Sequence, residues 1–247
     1  MNGQQLFGRI LGSLHDAALD GGLWPETAGL IDEACGSRGN FLVAGDGAAP
    51  DDVEIYFARF CYRGERRTDL ERRYFEDYYR IDERIPRIRR LCDSRIVPVD
   101  ALYTDAEKRA SPAWNEALAL GDCRKGLNVR LDGPGGSRIV WALADPVDGE
   151  GWTTARLETV RRLLPHIRQF VRVRQALADA RALESTAARL LEDTGRGVLY
   201  LDPRGRIVQA NGLALAVLLG GDGLADRDGR LCARFPEDDD ALQALLG

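Results

Sequence analysis

The stretch from Thr154 to Asp193 constrains this chain more than any other. As a helix it would be about 60 Å long. Leu157, Val160, Leu164, Ile167 and Val171 recur at steps of three and four. Phe170, Val173, Leu177, Ala180, Ala187 and Leu191 continue on a neighbouring stripe at steps of three, four and seven, with Glu184 at the one polar gap. Such a seam needs a second surface to cover it. A β-rich segment precedes it and another follows it. The pattern therefore predicts a connector between two modules, with Phe170, Val173, Leu177, Ala180, Ala187 and Leu191 as the seam of a homodimer. The alternative is a long helix packed on its own domain, although few globular helices exceed about 25 residues without a coiled-coil or repeat role.

A chain of 247 residues accommodates one to two domains. No apolar run approaches the ~18 residues of a membrane span. Met1 to Asp20 lacks the basic, apolar and small-residue regions of an export signal. Net charge is −5, which argues against a nucleic-acid surface within these residues. Basic charge is almost all arginine, with lysine only at 108 and 125, a bias that speaks of a GC-rich genome rather than of function. The five cysteines, Cys35, Cys61, Cys92, Cys123 and Cys232, form no Cys-x-x-Cys. Neither a disulfide framework nor a zinc site is indicated, and reduced, mostly buried thiols in the cytoplasm are expected. With only His15 and His166 as histidines, no metal or cofactor site is predicted.

Gln4–Leu19 has amphipathic helical spacing and is ended by Asp20-Gly-Gly. Leu23-Trp24-Pro25 opens a second helix to about Cys35. Arg38–Ala44 and Val53–Tyr62 read as strands around the loop Gly45–Asp52. In the second strand Val53, Ile55, Phe57 and Cys61 point one way, and Glu54, Tyr56, Phe60 and Tyr62 the other. Thr68–Ile81 returns to helical spacing, Asp82–Arg95 is a charged link, and Ile96–Leu102 reads as an edge strand because of Pro98. Thr104–Leu120 is a helix with the capping box Thr104/Glu107, bent or divided by Pro112. Leu127, Val129 and Leu131 alternate with polar residues, Gly133-Pro-Gly-Gly136 turns, and Ile139, Trp141 and Leu143 alternate on the way back: a β-hairpin. A sheet of four or five antiparallel strands with helices on its faces fits this order. Beyond the long helix, Gly197–Leu201 and Arg206–Ala210 are strands around the turn Asp202-Pro-Arg-Gly205. Asn211 caps a helix through Leu219, Leu224–Arg234 has room for one more short strand, and Ala241–Leu246 starts another helix.

Tyr56, Tyr74, Tyr78, Trp114 and Trp141 are candidates to line a cavity between sheet and helices. Tyrosine and tryptophan supply an apolar body and a hydrogen-bond donor, which a small-ligand site needs. The competing reading places the same aromatics in the core. Arg59–Arg95 holds twelve arginines and eight acidic residues, 12 − 8 = +4, and reads as a solvated face crossed by salt bridges rather than a nucleic-acid contact. His166 after Pro165 suits a packing or helix-start role, and Pro165 marks residues 163–167 as a hinge or a domain corner. There is no Gly-x-Ser-x-Gly, no phosphate-cradling Gly-x-x-x-x-Gly-Lys and no nucleophile with a histidine partner, so no enzyme is expected.

Leu163-Leu-Pro-His-Ile167 and Gly197-Val-Leu-Tyr-Leu-Asp-Pro-Arg-Gly-Arg-Ile-Val-Gln-Ala-Asn211 resemble the linker and following PAS-like segment of a group of LuxR-type bacterial transcription regulators. Asp222-Gly-Leu224 with Gly229-Arg-Leu231 continues the likeness. Upstream, Leu23-Trp-Pro25, Tyr74-Phe-Glu-Asp-Tyr78-Tyr-Arg-Ile-Asp82 and Ser111-Pro-Ala-Trp-Asn115 resemble the group's GAF-like first module, which is akin to autoinducer-binding domains. The resemblance implies an α+β fold: a GAF/PAS-like antiparallel sheet flanked by helices over 1–153, a long connecting and dimerisation helix over 154–193, and a partial PAS-like module over 194–247. It implies a cytoplasmic homodimer that senses a small ligand or partner, with Asp82 accepting a ligand N–H. DNA would be contacted only through a helix-turn-helix domain that none of these residues supplies. Two departures stand out: the PAS-like module stops partway, and Asp82 is followed by Glu83 where the autoinducer-binding pattern has Asp-Pro. The alternative function is a ligand-free interaction and dimerisation module.

Overall fold

A computed structural model describes residues 3–46, 54–193, 195–202, 204–221 and 223–246. The expected loop Gly45–Asp52 lies mostly outside the described residues. The chain divides into two compact units, 1–177 and 178–247.

In the first unit, helix α1 (Gly3–Leu19) is followed by α2 (Trp24–Cys35), which carries Pro25 in its first turn and ends on Gly36 at φ 66°, the left-handed geometry that glycine adopts without strain. Strands β1 (Gly39–Asp46), β2 (Glu54–Tyr62) and the two-residue β3 (Glu65–Arg66) come next. Then come α3 (Thr68–Arg73), α4 (Arg84–Arg89), β4 (Arg95–Pro98), α5 (Asp105–Ala110), α6 (Leu118–Leu120), β5 (Leu127–Asp132) and β6 (Arg138–Leu143). Among the described residues six strands form one antiparallel sheet in the order β3-β2-β1-β6-β5-β4. The sequence pattern suggested four or five, because Glu65–Arg66 is too short to show a period.

Strand alternation sorts side chains onto two faces. Leu42, Leu127, Val129, Ile139, Trp141 and Leu143 lie in one core with α1, α2 and the long helix. Phe41, Phe60, Ile88, Val99, Leu102 and Leu118 lie in the other. The sheet therefore has helices on one side and a mixed layer of turns and short helices on the other.

The long helix α7 (Thr154–Asp193) runs unbroken through Pro165. Its first half is not a free connector. Val160, Leu163, Leu164, Ile167, Phe170 and Val171 are buried in the core of their own unit, and each such burial is worth about 1.5–3 kcal/mol. Phe170 lies 4.6 Å from the ring of Trp24 and 5.6 Å from that of Phe57. Arg168 clasps Asp93 at 2.7 Å, and Arg174 reaches the last carbonyls of α1. His166 packs edge-on against Phe7, the packing role expected for it. The sequence-derived boundary at 153/154 thus moves to 177/178. Phe170 leaves the proposed dimer seam, and Val173 packs against the same core. Leu177 is half-buried and Ala180 exposed, while the side chains of Ala187 and Leu191 lie outside the described residues.

The two remaining helical predictions are modified. Thr68–Ile81 becomes α3, a widened π turn at Tyr74–Tyr78 and a tight turn at Tyr79–Ile81. Thr104–Leu120 is divided at Pro112: α5 with its capping box, a second π turn at Ala113–Ala117, then α6.

In the second unit, β7 (Leu199–Leu201) pairs with β8 (Ile207–Ala210) around the turn at Asp202, whose Oδ1 accepts from the amides of Arg204 and Arg206. Asn211 caps α8 (Gly212–Gly220) by accepting from Ala214 N, and also accepts from Val198 N. Leu224–Arg234 holds a hairpin rather than one strand. There β9 (Leu224–Arg227) and β10 (Arg230–Ala233) meet at Asp228-Gly229, both at positive φ, the turn chemistry that favours Asp-Gly. Helix α9 (Pro236–Leu246) follows.

Candidate functional site

A cavity of about 130 Å³ lies between the second face of the sheet and the layer over it. Its floor is Phe41 and Val43 on β1, Phe60 on β2, Asn128 and Arg130 on β5, and Val140 on β6. Its cover is aromatic. Tyr74, Phe75 and Tyr79 descend from the first π turn and the residues after it, with ring centres 5.4 to 6.2 Å apart. Phe60 meets this cover at 5.6 Å from Tyr74 and 5.7 Å from Phe75. A π turn carries an extra residue per turn, so Tyr74, Phe75, Tyr78 and Tyr79 all reach one cavity instead of splaying around a cylinder. The two π turns are tied together: Tyr78 donates from its hydroxyl to Glu116 Oε2 at 2.7 Å, and Arg73 donates to Tyr78 at 3.1 Å.

Of the six candidates, Tyr74 and Tyr78 line this cavity and the other four do not. Trp141 is fully buried on the opposite face, among α1, α2 and α7, because it alternates with Val140 and Ala142 along β6. Tyr56 is displaced by a bulge. Ala44 pairs with Phe57 but Gly45 pairs with Ile55, so Tyr56 is the extra residue of β2. Ile55 turns to the cavity in its place, and the Tyr56 hydroxyl donates to Ser137 at 3.0 Å. Trp114 stacks edge-on against Tyr103 at 5.0 Å, outside the cavity lining.

Asp82 is the fourth correction. Its side chain is fully enclosed. Oδ2 accepts from the Tyr74 hydroxyl at 2.8 Å and from Arg84 Nη2 at 2.6 Å. Oδ1 accepts from the Tyr103 hydroxyl at 2.8 Å and from Arg84 N at 2.9 Å. Burial pushes this carboxyl upward, but the Arg84 charge and these bonds outweigh it and hold it below the usual carboxylate range. The oxygens are already committed, so Asp82 is the peg on which Tyr74 and Arg84 hang, not an acceptor aimed into the cavity. Desolvation of its hydroxyl and the adjacent Asp82 charge likewise raise the phenol of the half-buried Tyr74 well above normal.

Sequence reasoning missed Asn128 and Arg130. Both stand at the polar positions of the β5 alternation, which reads as a solvent face, yet Asn128 is 1% exposed. Asn128 Nδ2 and Arg130 Nε are buried without a hydrogen-bond partner. No Asp, Glu or His lines the cavity among the described residues. Its one thiol, Cys123, is pushed up by burial. Among the described residues no cluster of three His, Cys, Asp or Glu is placed to hold a metal, and no helix is long and apolar enough to cross a membrane.

No family model matches the chain, and no curated protein matches it. Among solved structures, the VqsR ligand-binding domain from Pseudomonas aeruginosa superposes with a TM-score of 0.51 at 12% identity, over 69% of this chain and 96% of that one. What the two share is the fold. CepR2 from Burkholderia cenocepacia, an N-acylhomoserine lactone dependent LuxR family transcription factor, gives 0.44 at 19% identity over the same shares.

Proposed function

We propose that residues 1–177 are the sensory domain of a LuxR-type transcription regulator, that the cavity holds a small ligand, and that its occupancy is relayed through α7 to a DNA-binding domain outside residues 1–247. The observation that carries this reading is the apolar cavity with an aromatic cover, set in a fold of the ligand-binding-domain kind. The volume, about 130 Å³, is close to the roughly 150 Å³ that admits benzene. The relay has a short physical path. Val140 and Ala142 border the cavity, and Ile139 and Trp141 on the same strand pack in the core that includes α7. A ligand moves that strand only by binding two arrangements unequally.

Native mass spectrometry of the whole chain tests the reading. The expected result is a retained small molecule, or a ligand-library hit that raises the unfolding temperature, with both lost in Ala142→Phe, which fills the cavity floor. A chain that retains nothing and is stabilised by nothing would point instead to an interaction module. The same spectrum tests the homodimer that we propose. We place its contact beyond the first unit's core, where Leu183 is 72% exposed on α7.

A further inference from the structure

The geometry points to an anion: we propose that the cavity takes a small carboxylate with an apolar, ring-sized body, bound by Arg130 and Asn128 at the sheet floor. This rests on the reading of the cavity as a ligand site and adds the chemical class of the ligand.

Of the six buried side-chain donors without an acceptor among the described residues, Asn128 Nδ2 and Arg130 Nε are the two that border the cavity. They sit two residues apart on one face of β5, about 7 Å along the strand. A buried donor left unmet costs about 1–3 kcal/mol, more when it is charged. The sequence retains two of them side by side on the cavity face of β5, while its other face carries Leu127, Val129 and Leu131. An acceptor with two oxygens satisfies both, and a carboxylate satisfies them most strongly because both bonds gain charge.

The charge around them has the same sense. Arg73, Arg84, Arg89, Arg130 and Arg138 border the cavity and no acidic residue does, among the described residues. Arg84 is matched by Asp82, and Arg73 by Asp77 and Glu116, all behind the wall. At the floor, Arg130 pairs with Asp132 through Nη2 at 2.6 Å, and that aspartate is 61% exposed. Arg95 stands directly opposite Arg130 on β4, whereas Arg138 on β6 stands opposite Asp132. Like charges facing one another across a ladder destabilise it, and an anion seated at Arg130 relieves that repulsion. Elsewhere the lining is mainly apolar: Phe60, Phe75, Leu118 and the ring of Tyr79 offer surface to a body.

Isothermal titration of the whole chain with phenylacetate and with phenylacetamide tests this, since the two differ in charge and little in size. Phenylacetate is expected to bind tighter by about tenfold or more, the gain of turning a neutral hydrogen bond into a charged one. Arg130→Gln, its fold checked by circular dichroism, is expected to erase most of that preference. Equal or tighter binding of the amide would overturn the carboxylate while leaving the ligand cavity standing. Failure of both probes to bind at millimolar concentration would overturn it together with the ligand-site reading beneath it.

Discussion

Replacing Asp82 with asparagine should cost stability before it costs anything else. The side chain is the same size, and its oxygen can still accept from Tyr103 and from Arg84 N. What is lost is the charge facing Arg84, whose guanidinium is itself only 8% exposed. Breaking one partner of a buried ion pair typically costs about 3–5 kcal/mol, because the remaining charge is stranded out of water. That is a large share of the ~5–15 kcal/mol that holds a domain together. Arg84→Met alone strands the carboxylate, which escapes part of the cost by taking up a proton, so about 2–4 kcal/mol is expected. The double variant Asp82→Asn/Arg84→Met buries no charge and should lie within about 1–2 kcal/mol of the parent, leaving a coupling of several kcal/mol between the two sites. Urea unfolding followed by tryptophan emission measures this cleanly, since Trp24, Trp114, Trp141 and Trp152 all belong to the first unit. Additive single and double effects would refute the peg. So would an Asp82→Asn protein of parental stability that has lost only its ligand, which would restore Asp82 as a ligand acceptor.

Three other outcomes follow from the structure. Asp32 is pushed up to about 7 by burial, partly offset by bonds from Asn40 and Ser37. Its folded value thus lies above the unfolded one, so the folded state holds the extra proton between about pH 4 and 7 and stability falls as pH rises through that window. From (7 − 3.8) × 1.36 the loss is about 4 kcal/mol, and Asp32→Asn should flatten the profile of unfolding free energy against pH. A Cβ added at Gly39 would sit 2.5 Å from the Cys61 carbonyl across the β1–β2 ladder. Gly39→Ala should therefore lower the urea midpoint by an amount equivalent to about 1–3 kcal/mol, and an unchanged midpoint would show that the strands part easily there. Leu183→Glu should convert a dimer to a monomer in sedimentation velocity without shifting the first unit's unfolding, whereas a dimer that survives the change would place the contact elsewhere.

The lesson of the candidate residues lies in where each one failed. Tyr74 and Tyr78 were legible because they share a stripe at helical spacing, and the π turn kept them on one side. Tyr56 was lost to a single extra residue in β2, which reverses the facing of everything before it and leaves no trace in local composition. Trp141 was assigned to a sheet face correctly as a pair with Ile139 and Leu143, but nothing along β6 says which face the helices cover. Asp82 carried the appearance of a ligand handle, and only the approach of Tyr103 from 21 residues away and Arg84 from two shows that its oxygens are taken.

What the chain alone determined were features closed within a few residues. The Thr104/Glu107 capping box, the Gly133–Gly136 turn, the cap at Asn211 and the alternation of the β5–β6 hairpin all depend on neighbours in sequence. The tertiary structure decided the rest: that half of α7 is core and not seam, that Asn128 and Arg130 face a cavity and not water, and that β3 completes the sheet. The reason is physical. A period records which side of an element is apolar, whereas what lies against that side, and whether a polar side is covered as well, depends on residues far away in the chain.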